Sequence, residues 1–317
     1  EQIAMANTTG LTTFNLDLND LIEEAYERSG LQLRSGYDFR TARRSLNLLT
    51  IEWANRGINL WTIEEGVIPM VTGQAVYPIP EDTIDLLDHV IRQNNGTAST
   101  QSDINISRIS ESTYSTIPNK LANGRPIQVW INRQTANTNS TASTTVAASG
   151  SSPSVSTTAT TINVGSTANL PSTGFVLIDS ETIGYTNVTD NQLVNCVRGQ
   201  NGTTAATHAT GASVYIQNLP CINVWPAPNA GGDYTFVYWR MRRMQDVGNG
   251  VNIQDIPFRL IPCMVAGLAY YIAMKKLEVT PDRVLALKAD YEQQWLLASQ
   301  EDREKASDRF VPRQLFY

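Results

Sequence analysis

Histidine and cysteine are scarce in this sequence: there are two histidines, His89 and His208, and three cysteines, Cys196, Cys221 and Cys263. No CxxC pair exists, which excludes a zinc knuckle or a dithiol redox motif. Three scattered cysteines read as buried, reduced thiols. No His/Asp/Glu cluster has metal-ligand spacing. Neither a glycine-rich phosphate loop nor a nucleophile elbow occurs. No catalytic, cofactor-binding or metal-binding residue is therefore expected, and the chain reads as a non-enzyme. Charge is also short, at 17% of 317 residues, against about a quarter in an ordinary globular chain. The net charge of −6 argues against a chain built to grip phosphate backbones. Long apolar runs are missing too. The longest, 261–274, lies between Arg259 and Lys275-Lys276 and falls below the about 20 residues of a membrane span. It is expected as a buried helix, with no membrane partner. No basic start followed by an apolar run opens the sequence, so no signal peptide is expected, and Met5-Ala6 reads as a natural start.

The elements that are present have a clear order. Asp17 can cap a first helix whose Leu18, Leu21, Ile22 and Ala25 share a face, with Gly30 ending it. A second helix is expected from near Asp38, with Leu46, Leu49 and Trp53 on one stripe and Gly57 at its end. The two read as a helical hairpin. Next come strands: 61–68 and 75–79 as a hairpin around Thr72-Gly73, Ile104 and Ile106 alternating with polar residues, then 126–131, 222–225 and 234–239. Asp255 can cap a third long helix with Pro257 in its first turn. Thr280-Pro281 starts a fourth, whose Val284, Leu287, Tyr291, Trp295 and Ala298 fall at helical spacing.

Between Gln134 and Ile178 there is not one charged residue. Five short apolar runs, 161–164, 175–178, 182–185, 193–197 and 213–216, are set off by Gly or Asn turns, as in a small all-β module. Its flanks, 129–133 and 220–225, read as two strands of one hairpin, so 134–217 is expected to be an insertion at a loop. The expected fold class is α+β: a four-helix bundle from the N- and C-terminal helix pairs, a central antiparallel β region, and the inserted module. The segments are 1–133, 134–217, 218–307 and an extended arm, 308–317.

Several strings carry a family resemblance. They are residues 14–28 (FNLDLNDLIEEAYER), Tyr77-Pro78-Ile79-Pro80 with Asp82, and Gly124-Arg125-Pro126 leading to Trp130. Others are Trp225-Pro226-Ala227-Pro228, Ile256-Pro257 running to Tyr270-Tyr271, and Ala289-Asp290-Tyr291-Glu292 continuing to Glu301-Asp302-Arg303-Glu304. In number and order they resemble the head-to-tail adaptor proteins of short-tailed, podovirus-type bacteriophages, over roughly both helical ends and the β region but not 134–217. The resemblance implies a structural virion protein at the head-tail junction, assembled in the host cytoplasm. It implies a homo-oligomeric ring, usually a dodecamer, joining the portal protein to the tail nozzle. Double-stranded DNA would pass through the channel without specific binding, and tail fibre or tailspike proteins are further candidate neighbours.

Within that frame the arm is expected to bind the portal. It lacks helical period yet ends in large apolar groups, so Phe310, Leu315, Phe316 and Tyr317 are the candidate anchors of a segment that orders on docking. Arg240, Arg242 and Arg243 are candidates for inter-subunit ion pairs or for contacts to DNA phosphates in the channel. Two other readings stay open. A peptidoglycan hydrolase of the tail would need two carboxylates about 5 to 9.5 Å apart, for which Glu23-Glu24, Glu64-Glu65 and Glu81-Asp82 are the candidate pairs; adjacent residues, however, point apart. His89, after Asp85-Leu86-Leu87-Asp88, is a conceivable general base or a satisfied histidine. A glycan-binding tail component would use the Ser/Thr-rich module, with Tyr185 and Tyr215 either stacking on sugar or forming the module's core.

Overall fold

The computed structural model describes residues 16–57, 60–150, 154–229, 233–246, 248 and 252–302. The class is α+β, with five helices among the described residues. Two compact units emerge. One joins the chain up to Ile63 with the chain from Arg243 onward; the other is Glu64–Arg242. The chain thus leaves the first unit, builds the second, and returns.

In the helical unit, α1 (Leu18–Ser29) starts at Asp17, whose carboxylate accepts the Asp20 N–H at 2.9 Å, and stops at Gly30 in the left-handed region. A left-handed stop of this kind favours glycine. α2 (Gly36–Arg56) begins ahead of the expected Asp38. Ser35 is the cap: its hydroxyl accepts the Asp38 N–H and donates to the Asp38 carboxylate. This reciprocal pair draws Asp38 inside the first turn. The short α3 (Glu111–Ser115) belongs to the other unit.

α4 (Ile261–Ala273) and α5 (Pro281–Glu301) complete the helical unit. The expected cap at Asp255 is corrected. A 3-10 turn, Phe258–Leu260, precedes α4, and Asp255 serves elsewhere, accepting the Gln245 N–H on its carboxylate and Trp61 Nε1 on its carbonyl. One apolar cluster joins Leu21 and Ile22 of α1, Leu46 and Trp53 of α2, Leu268 of α4 and Tyr291 of α5. α4 is buried on most sides and packs on α1, α2 and α5. Gly267 permits this: a Cβ there would lie 2.9 Å from both Leu49 Cδ2 and Tyr291 Cε2.

In the β unit, one sheet runs in the spatial order Ile63–Pro69, Tyr234–Arg242, Thr83–Gln93, Ser102–Asn105. A second runs Val76–Pro78, Cys221–Trp225, Gln128–Asn132, Ser107–Arg108. The expected hairpin around Thr72-Gly73 is therefore corrected: its two strands lie in different sheets. The turn's bonds explain the crossing. Met70 N–H continues the first sheet onto Tyr234 O, Gly73 N–H goes to Pro228 O, and the Tyr77 hydroxyl ties back to Val71. Nor is the region uniformly antiparallel, since Ser107–Arg108 pairs parallel to Gln128–Asn132. Leu86, Ile91 and Phe236 of the first sheet share one core with Val129, Ile222 and Val224 of the second.

The expected pairing of the flanks holds in register: Asn132 faces Cys221, Trp130 faces Asn223 and Gln128 faces Trp225. The residues between those strands carry a core of their own, including Val146, Ile162, Val176, Ile183, Leu193 and Val214. Strands Gly174–Ile178, Glu181–Tyr185 and Ser213–Asn218 form its main antiparallel sheet.

Candidate functional site

Arg240 and Arg242 end the strand Tyr234–Arg242 beside Ile63–Pro69. Arg240 bridges Glu64 at 2.9 Å and Asp82 at 2.5 Å, and Arg242 meets the other Glu64 oxygen at 2.6 Å. Both guanidinium side chains are largely buried, while the carboxylates are more open. The sequence pointed to partners on other copies or on DNA; in the structure Glu64 and Asp82 of the same unit engage them. Arg243 is exposed and opens the returning segment of the helical unit. Phe310, Leu315, Phe316 and Tyr317 lie outside the described residues.

At least one member of each carboxylate pair is engaged within the protein. Glu24 binds Arg28 one turn on, Glu64 and Asp82 hold the two arginines, and Glu81 accepts from the Asn201 amide at 3.2 Å. No group of three His, Cys, Asp or Glu side chains with the geometry of a metal site occurs among the described residues. All three cysteines are buried and free, and burial pushes each thiol up to about 12. Tyr185 is core, its hydroxyl donating to Pro171 O at 2.9 Å, whereas Tyr215 is half-buried. His89 stacks on Phe236 with ring centroids 5.9 Å apart. Burial, then the nearby Arg108 charge, lowers its pKa. The Ile106 backbone lies near, but among the described residues neither ring nitrogen has a hydrogen-bond partner at sound geometry.

The densest polar cluster is one the sequence did not reveal. Glu181, at 0% exposure, begins a strand and accepts Arg198 Nε and Nη2 at 2.9 and 2.7 Å. It also accepts the Gly199 and Ala206 N–H groups and faces His208 Nε2 at 2.9 Å. His208 Nδ1 faces the exposed Asp179 at 2.7 Å. Burial raises the Glu181 pKa, but the bonds from Arg198, Ala206, Gly199 and His208 outweigh it and hold the carboxyl down at about 2. Both imidazole nitrogens lie against carboxylates, so the ring ties Glu181 to Asp179. Arg198, Glu181 and His208 are widely spaced and follow no local pattern; the pairing of Glu181–Tyr185 with Val197–Gln200 brings Glu181 to Arg198, and an isolated bridge between Val155 and His208 positions the imidazole.

A second feature of this unit is a cavity of about 310 Å³ lined by residues including Trp130, Asn132, Phe175, Gln217 and Asn223. No protein-family model matches this chain, and no curated protein matches it.

Proposed function

We propose that this chain is a non-enzymatic head-to-tail adaptor of a short-tailed phage, forming a ring between the portal and the tail nozzle. The observation that carries the reading is the single core shared by α1, α2, α4 and α5, drawn from both ends of the chain. We read these helices as a bundle and 134–217 as a module inserted into the hairpin of Gln128–Asn132 and Cys221–Trp225. Such a plan suits a ring subunit, because the helices that precede and follow the β unit in sequence meet in one core while the β unit is free to vary. The exposed apolar groups support self-association. Leu48 and Ile51 share one side of α2; Leu285 and Leu296, about three turns apart, share one side of α5, and all four are more than half exposed. In a ring the neighbouring copy would cover these exposed side chains. Phe310, Leu315, Phe316 and Tyr317 remain the proposed portal anchors, and the channel would pass DNA without gripping it.

An antibody against the β unit, applied to virions that carry this chain, tests the assignment. Label at the junction of head and tail is the expected result; label on the capsid faces or the distal tail alone overturns it. Light scattering of the chain before and after mixing with its portal separates a templated ring from one that forms unaided.

A further inference from the structure

The cavity of the β unit has a wall set by strand alternation. Side chains on a strand point alternately to opposite faces. Val129, Ile131, Ile222 and Val224 therefore enter the core, and Trp130, Asn132, Cys221 and Asn223 face the other way. Those four line the cavity on one side. Thr173, Phe175 and Gln217 belong to the other side, and the volume of about 310 Å³ sits at the small end of ligand sites, which run from about 300 to 1,000 Å³.

The lining contains no charged side chain, so a ligand bearing a phosphate, carboxylate or ammonium group would meet no counter-charge. Amides dominate its polar part, and two of them are under-used. Asn223 is only 4% exposed, yet its hydrogen bond is the weak one to Cys221 Sγ at 3.8 Å. Gln217 Oε1 is buried with no partner among the described residues, although its amide nitrogen reaches Thr138 at 3.3 Å. Buried amides left in this state are costly, and each offers both donors and acceptors. A sugar hydroxyl is likewise both donor and acceptor. Trp130 is braced by stacking on Tyr114, with centroids 5.2 Å apart, so it can present an aromatic surface without losing side-chain freedom on binding. The C–H face of a pyranose ring is the matching apolar surface.

We propose that this cavity binds a neutral saccharide, with the Asn223 and Gln217 amides reading its hydroxyls and Trp130 as the platform for a ring face. The site does not depend on the adaptor reading, since it is complete within the β unit. It gives the chain a way to hold an uncharged surface glycan.

The test uses the full chain. Saturation-transfer NMR and calorimetric titration are run with cellobiose, maltose and N,N′-diacetylchitobiose at millimolar concentration, and with N-acetylneuraminic acid as the charged control. At least one neutral disaccharide should bind, and Asn223→Val and Gln217→Ala should each weaken it by about tenfold, the scale of one good polar contact. Thermal melts establish that the variants fold. Gln217 lies partly exposed near a strand end, so its variant keeps the test sound should Asn223→Val unfold. Failure of all three neutral sugars to bind overturns the proposal. So does binding that survives both substitutions in folded protein, or binding of the charged sugar as tight as that of the neutral ones.

Discussion

Trp53 Nε1 donates a hydrogen bond to Tyr291 Oη at 3.1 Å inside the helical core, tying α2 to α5 across most of the length of the chain. Both residues are almost fully buried. Tyr291→Phe keeps the ring but leaves the indole N–H with no acceptor. A buried donor left unmade costs about 1–3 kcal/mol, so the denaturation midpoint should fall by that equivalent with an unchanged m-value. An unchanged midpoint would mean that the bond contributes nothing to the unit.

Gly267 gives a second handle on the same core. Its missing Cβ is the space that Leu49 and Tyr291 fill. Gly267→Val should cost about 1–3 kcal/mol by overpacking, and Leu49→Ala in the same chain should recover part of it. Equilibrium unfolding of the two single variants and the double variant measures the coupling. Strict additivity would show that the two side chains do not compete for one space.

The apolar stripes of α1 and α2 were legible because helical period is local: Leu18, Leu21, Ile22 and Ala25, then Leu46, Leu49 and Trp53, are all buried as their spacing predicts. The strands that flank 134–217 were legible as strands because their apolar, β-branched composition is local; their pairing went with reading the residues between them as an insertion. The Thr72-Gly73 turn was not, because a local turn signal does not decide which partners the strands on either side of it will take. Asp255 failed as a cap because a 3-10 turn intervenes. The Glu181 cluster was invisible because a strand pairing and an isolated bridge to Val155, both non-local, assemble it, and the under-used amides of the cavity became apparent only with the sheet in place.

Glu181 should govern the acid limb of stability. Its carboxyl is held at about 2 against an ordinary 4.5. A depressed folded value contributes stability that is fully present above about pH 4.5 and is lost as pH falls toward 2. The shift corresponds to about 3 kcal/mol. Glu181→Gln should flatten that acid limb. Arg198→Met should be worse at neutral pH, by about 3–5 kcal/mol, because it strands a buried charge. Melting of the variants from pH 2 to 7 decides this, and an acid limb unchanged in Glu181→Gln would place the titrating group elsewhere.

His89 works in a different pH window. Burial lowers its pKa from 6.5, with Arg108 adding to that and Asp88 opposing it. The unfolded chain therefore takes up the proton first, and stability tied to His89 is present above about pH 6.5 and declines as pH falls below it. His89→Leu removes two unpartnered ring nitrogens as well as the titration. The variant should match or exceed the parent at pH 7 and pull ahead at pH 5.5. A steeper loss in the variant would show that the ring makes a favourable polar contact.

Residues 134–217 should be removable without unfolding the rest. Asn132 and Cys221 are paired neighbours, so joining Arg133 to Asn218 through a short glycine linker spans no gap, and the helical core and both sheets should survive. The deletion is not free of cost, however. Phe175 is 3% exposed and packs in one cluster with Val76, Leu219 and Cys221. Its loss uncovers Val76 and Cys221 and removes about 1.5–3 kcal/mol of burial. The deleted chain should therefore melt cooperatively but at lower temperature. Restoring polarity on the bared face, with Val76→Thr and Cys221→Ser, should improve its solubility without moving that midpoint far. A broad, non-cooperative melt would mean instead that the Phe175 cluster and the sheet beneath it fold as one body, and that the residues between the flanking strands are part of the core of this unit.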